Sequence, residues 1–106
     1  MSRWEKAMPV DELPENTLAN RKMGGRNILL ARVDGQYYAL LNDCPHLGCF
    51  LHKGLLRGHT VTCPCHDWVF DLRTGEFTAA PEIAIPVFPV KVTGGEIYVD
   101  LGGDVT

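Results

Sequence analysis

Residues 26–33, RNILLARV, form an apolar run of strand length rather than helix length. Asp34-Gly35 follows, a dipeptide that favours a two-residue hairpin, and residues 36–41 supply the return strand. Near the C-terminus, PVFPVKVT (86–93) alternates apolar and other residues, Gly94-Gly95 turns the chain, and residues 96–101 run back. Residues 8–10 and 17–23 read as two further extended pieces, with Gly24-Gly25 breaking the second. Between them DELPEN (11–16) reads as a turn or a single helical turn. Residues 58–62 are β-prone, residues 68–71 read as a strand, and residues 72–75 as a turn. No window of helical length carries a helical period, and no repeat or linker interrupts the pattern. Many short strands cut by Gly and Pro predict an all-β antiparallel sandwich or small open barrel.

Composition narrows the class. A chain of 106 residues suits one domain spanning 1–106, and 45% hydrophobic residues are ordinary for a globular protein. The net charge of -3 argues against nucleic acid or an anionic membrane as partner, because both recruit basic patches. It fits a protein that meets a basic partner surface. The start, MSRWEKAMPV, lacks the apolar run of a signal peptide, and no stretch reaches the roughly 20 apolar residues of a membrane span. The expected compartment is the cytoplasm. There, four cysteines are more often metal ligands or redox groups than a disulfide scaffold.

All four cysteines and two of the four histidines fall in two short stretches, CPHLGC (44–49) and CPCHDW (63–68). The first presents Cys44-x-His46 and then Cys49. The second presents Cys63, Cys65 and His66, with two residues between Cys63 and His66. Thiolate with imidazole suits zinc, copper or iron–sulfur. A plant-type all-cysteine cluster begins C-x-x-x-x-C-x-x-C. Cys44 and Cys49 fit its first step, but His52 occupies the next ligand position. Structural zinc sites favour C-x-x-C knuckles, which this chain lacks. Two cysteines and two histidines, one of each from each loop, match a Rieske [2Fe-2S] centre.

From about Leu29 to Leu101 the chain resembles the Rieske family, most strongly over 44–81, where CPCHDWVFDLRTGE extends the likeness beyond the ligands. The resemblance implies Cys44 and Cys63 on one iron and His46 and His66 on the other. It also implies a subdomain at about 42–81, two cluster-binding loops inserted in a basal β domain, and a third loop at Ala79-Ala80-Pro81 shielding the cluster. The chemistry is consistent with this. Four thiolates would leave an oxidised core at about -2, whereas two leave it near zero, so an electron enters more easily.

Cys49 and Cys65 exceed the minimal motif. The respiratory and photosynthetic branch of the family joins two such cysteines as a disulfide, and the resemblance implies the same pair here; two buried free thiols are the alternative. In that branch Gly-Ser follows the second histidine and a tyrosine comes two residues after the serine, and both hydroxyls raise the potential. Here Asp67-Trp68 and Phe70 stand instead, and the tryptophan and phenylalanine resemble those of soluble oxygenase ferredoxins and of the small subunit of assimilatory nitrite reductase.

Other residues carry plainer expectations. His52 and His59 read as surface histidines, Trp68 as core or cluster shield, and Trp4 as a packing or contact residue in a mobile end. Gly48, Gly54 and Gly58 read as turn glycines. One of Tyr37 and Tyr38 is expected in the core and the other at the surface. Asp11, Glu12 and Glu15 read as a solvated loop. The function expected is a one-electron carrier with one [2Fe-2S] cluster, passing electrons from a reductase to an oxygenase or similar terminal redox enzyme, with no catalysis of its own. A small subunit of a larger oxidoreductase such as nitrite reductase is the alternative, followed by a zinc-stabilised interaction module. The oligomeric state is not legible.

Overall fold

The apolar run 26–33 is continuous because the strand it forms is buried on both faces. The structure is a computed structural model that describes residues 3–42, 49–65 and 67–102. Its strands are β1 (Trp4–Pro9), β2 (Thr17–Met23), β3 (Arg26–Val33), β4 (Gln36–Leu41), β5 (Leu55–Arg57), β6 (Thr60–Thr62), β7 (Val69–Asp71), β8 (Glu76–Phe77), β9 (Ala80–Ala84), β10 (Val87–Phe88), β11 (Val90–Thr93) and β12 (Glu96–Asp100). They form three open antiparallel sheets, ordered β1-β12-β11, β10-β4-β3-β2 and β5-β6-β7-β8-β9. Strand β3 lies in the second. Its Leu29, Ala31 and Val33 join Leu40, Leu51, Val61, Cys63, Phe70 and Leu72 in one core cluster. Its Ile28 and Leu30 join Met8, Leu13, Ile97 and Val99 in the other. Thus the middle sheet is packed against the β1-β12-β11 sheet on one side and the five-stranded sheet on the other.

Two-residue hairpin turns set the register. Asp34 (φ 53) and Gly35 (φ 74) join β3 to β4 with Val33 paired to Gln36. Both residues have positive φ, as the primed turns that match strand twist require.

Several expectations need correction. The first strand spans Trp4–Pro9, and Val10 instead opens a single 3-10 turn, Val10–Glu12. Trp4 is therefore paired, opposite Asp100, with the Lys91 ammonium 4.4 Å from its ring centroid. The run 86–93 is two strands in two sheets: β10 pairs with β4, and β11 pairs with β12. Residues 55–57 and 76–84 were not foreseen as strands. With β6 and β7 they make a five-stranded sheet, so sheet as well as loop builds this part of the molecule. Tyr37 and Tyr38 are both half-buried, one against each core cluster. The acidic group is more than a solvated loop: Glu12 pairs with Arg21 at 3.1 Å. Glu15 accepts the Gly35 N–H at 3.0 Å and lies 3.4 Å from Arg32, tying the turn to the β3–β4 hairpin.

Gly54 has an ordinary backbone (φ -88), so its role is close approach rather than a left-handed turn. A Cβ there would overlap the Thr62 carbonyl oxygen. Gly54→Ala is expected to destabilise the fold by about 1–3 kcal/mol through overpacking against rigid backbone, read as a lowered thermal midpoint.

Candidate metal centre

Cys63 follows β6 directly and is fully buried, in the cluster that contains Val61, Phe70 and Leu72. Its N–H donates to the Trp68 carbonyl at 2.7 Å, and the Asp67 N–H donates to the Cys63 carbonyl at 3.1 Å. These bonds close the backbone between β6 and β7 into a tight loop. Asp67 has φ 58, a left-handed position that Asp tolerates better than most residues. Beside the loop, Trp68 stacks on Phe77 with centroids 4.2 Å apart and planes 7° apart, and Phe70 lies 5.6 Å from Phe77. Trp68 is half-buried against the core, as a packing or shielding residue should be. Phe77, its stacking partner, was missed because the short strand β8 has no periodic signal.

Cys49 and Cys65 are joined as a disulfide with Cα atoms 6.5 Å apart. Sulfur atoms of Cys49, Cys63 and Cys65 all lie within 4.8 Å of one another. Three of the six site residues expected from sequence therefore meet at one point. Cys44, His46 and His66 lie outside the described residues, as does Gly48. The bridge draws the end of the first Cys/His stretch against the second. It also consumes two of the three sulfurs as thiolate donors, since a disulfide sulfur bears no charge. Cys63 remains the one unbridged cysteine among the described residues. A buried thiolate must be paired with a cation or coordinate a metal. The uncommitted donors nearest in sequence are a thiol and imidazoles, a soft set that suits an iron–sulfur group with mixed ligation.

The two histidines set aside as surface groups are both half-buried. His59 packs edge-on against Tyr38, centroids 5.9 Å apart, with Nε2 3.9 Å from an Asp34 carboxylate oxygen. His52 bonds the buried Asn42 through both its backbone and its ring. Burial first, and then the charge of Lys53, hold its pKa below the usual histidine value. Ala80 and Pro81 open β9 instead of forming a free loop. No helix among the described residues is long and apolar enough to cross a membrane.

Comparison with known proteins agrees with this chemistry. The model of the Rieske [2Fe-2S] domain matches residues 3–89. The ferredoxin component of a naphthalene 1,2-dioxygenase system from Pseudomonas aeruginosa is 33% identical over 100 residues, covering 93% of this chain and 96% of that protein. Among solved structures, the ferredoxin of carbazole 1,9a-dioxygenase from Nocardioides aromaticivorans IC177 superposes with a TM-score of 0.85 at 28% identity, covering 91% of this chain and 95% of that one. A chain from a complex of reduced oxygenase and oxidized ferredoxin in carbazole 1,9a-dioxygenase superposes with a TM-score of 0.83 at 30% identity, covering 92% of each chain.

Proposed function

The chain belongs to the Rieske [2Fe-2S] domain family, and from that premise we propose that it is the ferredoxin of an oxygenase system, carrying single electrons from a reductase to a terminal oxygenase. Its cofactor is a [2Fe-2S] cluster, which when bound takes up and releases one electron. We assign Cys44, His46, Cys63 and His66 as ligands and read residues 42–81 as the subdomain that holds the cluster. The observation that carries the assignment is the buried, unbridged Cys63 beside the Cys49–Cys65 disulfide. The bridge removes two sulfurs from contention and leaves one cysteine from each stretch. Support for the partner comes from the named relatives and from the ferredoxin–oxygenase complex. The cytoplasm is the compartment we propose.

The chain's own residues shape the electron site in three ways. Two thiolates and two neutral imidazoles bring less negative charge than four thiolates would, so reduction is easier than in an all-cysteine cluster. Phe70, buried on the strand that leads out of the ligand loop, and the Trp68–Phe77 stack beside it line that side of the loop with aromatic rings. The disulfide and the backbone bonds at Cys63 tie down described residues on either side of His66, which favours a site that rearranges little on electron transfer.

Reconstitution tests the function: the purified protein should support turnover when added to a flavin reductase and an aromatic-ring oxygenase, and be re-oxidised by the oxygenase. An as-isolated protein that is colourless and binds zinc would overturn it. The midpoint potential is expected in the lower half of the Rieske range of about -150 to +300 mV, below about +75 mV. Trp68 and Phe70 offer no hydroxyl to stabilise the reduced state, and the exposed Asp67 adds a negative charge nearby. Phe70→Tyr should raise the potential, provided its buried hydroxyl finds a partner in a pocket now filled by aromatic rings. Voltammetry of wild type and variant at neutral pH decides; a wild-type value near the top of the range would mean that other donors replace the hydroxyls.

A further inference from the structure

Asn42 lies two residues before Cys44, and His52 lies three residues after Cys49. Asn42 is fully buried. Its N–H donates to the Asn27 carbonyl at 2.8 Å, and its Nδ2 donates to Asn20 Oδ1 at 2.7 Å. The His52 N–H donates to Asn42 Oδ1 at 3.0 Å, which fixes which end of the amide is oxygen. Nδ2 then faces His52 Nδ1 at 2.7 Å. An amide nitrogen can only donate, so Nδ1 accepts, and the ring carries its proton on Nε2. The preceding Leu51 is fully buried in the core, which anchors the Leu51–Lys53 turn independently.

We propose that Asn42 and His52 are positioning residues that form a latch, closing the two ends of the segment 43–48 so that Cys44 and His46 are held for the cluster. The proposal rests on the ligand assignment above. A protonated imidazole cannot accept at Nδ1; its N–H would oppose the Asn42 N–H, and the ring half of the latch is lost while the backbone bond to Oδ1 remains. The turn packs against β2 and β3, which contribute the neutral Asn20 and Asn27 and, on the same face as Asn20, the exposed Lys22 paired with Asn27. The turn itself contributes Lys53. Burial first, and then the Lys53 charge, disfavour a charged ring. The folded pKa lies below the unfolded one, so the latch is intact above about pH 6.5 and its ring half is lost progressively as pH falls below it.

The test follows bleaching of the visible absorbance of the holoprotein between about pH 8 and pH 5.5, across the ordinary histidine pKa. His52→Ala should lose its cluster about fivefold faster than wild type near pH 8, the effect of one hydrogen bond, with a smaller dependence on acid. His52→Asn places Oδ1 where Nδ1 was, an acceptor that does not titrate. It should match wild type near pH 8 and outlast it several-fold in acid. Parallel pH profiles for His52→Asn and wild type would overturn the latch, because a merely structural histidine predicts them. Should His52→Asn not fold, the cycle of Asn42→Ala, His52→Ala and the double change decides: a latch makes the double variant no faster than Asn42→Ala alone, and independent effects on the rate overturn it. A wild-type protein without a Rieske spectrum would strike the ligand assignment, and the latch with it; an intact spectrum with parallel profiles strikes the latch alone.

Discussion

Cys63→Ala is expected to fold its β core and hold no cluster. The side chain is small, so the change leaves a small void in the cluster around Val61 and Phe70, and the strands should survive it. The sulfur itself has no substitute. Among the described residues the other two cysteines are bound to each other, so no unbridged thiol stands ready to replace Cys63. A cluster lacking one ligand is lost or never inserted, because binding requires the complete set of deprotonated donors. His66→Ala should do the same, with iron content falling at least about tenfold. His59→Ala should retain the visible spectrum, since that ring is engaged with Tyr38 and Asp34. Circular dichroism separates loss of fold from loss of cluster. A full spectrum in Cys63→Ala or His66→Ala would remove that residue from the ligand set.

The convergence of Cys49, Cys63 and Cys65 could be expected from sequence because it follows from residue type and spacing in CPHLGC and CPCHDW, whereas Cys44, His46 and His66 lie outside the described residues. The strands 26–33 and 36–41 were legible for a related reason: a strong apolar run and an Asp-Gly turn are local signals. What escaped was decided by tertiary contact. Residues 76–84 make β8 and β9 with little apolar pattern, because this hairpin is held by pairing to β7 and by the Phe77–Trp68 stack. The run 86–93 looks like one alternating strand, yet Pro89 lies where the chain passes from the β4 edge to the β12 edge. His52 resembles any exposed histidine in a loop until Asn42, ten residues earlier in sequence, is seen to bond both its backbone and its ring. Glu15 is similar: its contact with Gly35 joins residues twenty positions apart. Such pairs leave no mark on local pattern.

Cys49→Ser with Cys65→Ser should lower the stability of the apoprotein by about 3 kcal/mol and that of the holoprotein by much less. The bridge closes a loop with a sequence separation of 16 residues. On the chain-entropy account, a cross-link over a loop of that size stabilises by about 3 kcal/mol through the unfolded state. For a domain near this size, that corresponds to a fall in melting temperature of about 12–24 °C. Serine fits the site tolerably, because Cys65 is exposed and Cys49 half-buried, so neither hydroxyl need be stranded. The bound cluster, on the assigned ligands, ties residues 44 and 46 to residues 63 and 66 and closes almost the same loop. For a cluster that stays on its ligands as the strands melt, two cross-links over one loop restrict the unfolded chain little more than one does. The bridge should therefore matter most before the cluster is inserted, holding the two stretches together so that the donors converge. Melting of apo and holo forms, with and without the bridge, measures this directly. Equal losses in both forms would show that the cluster does not cross-link the unfolding chain, and no loss in either would show that the bridge adds nothing to the fold.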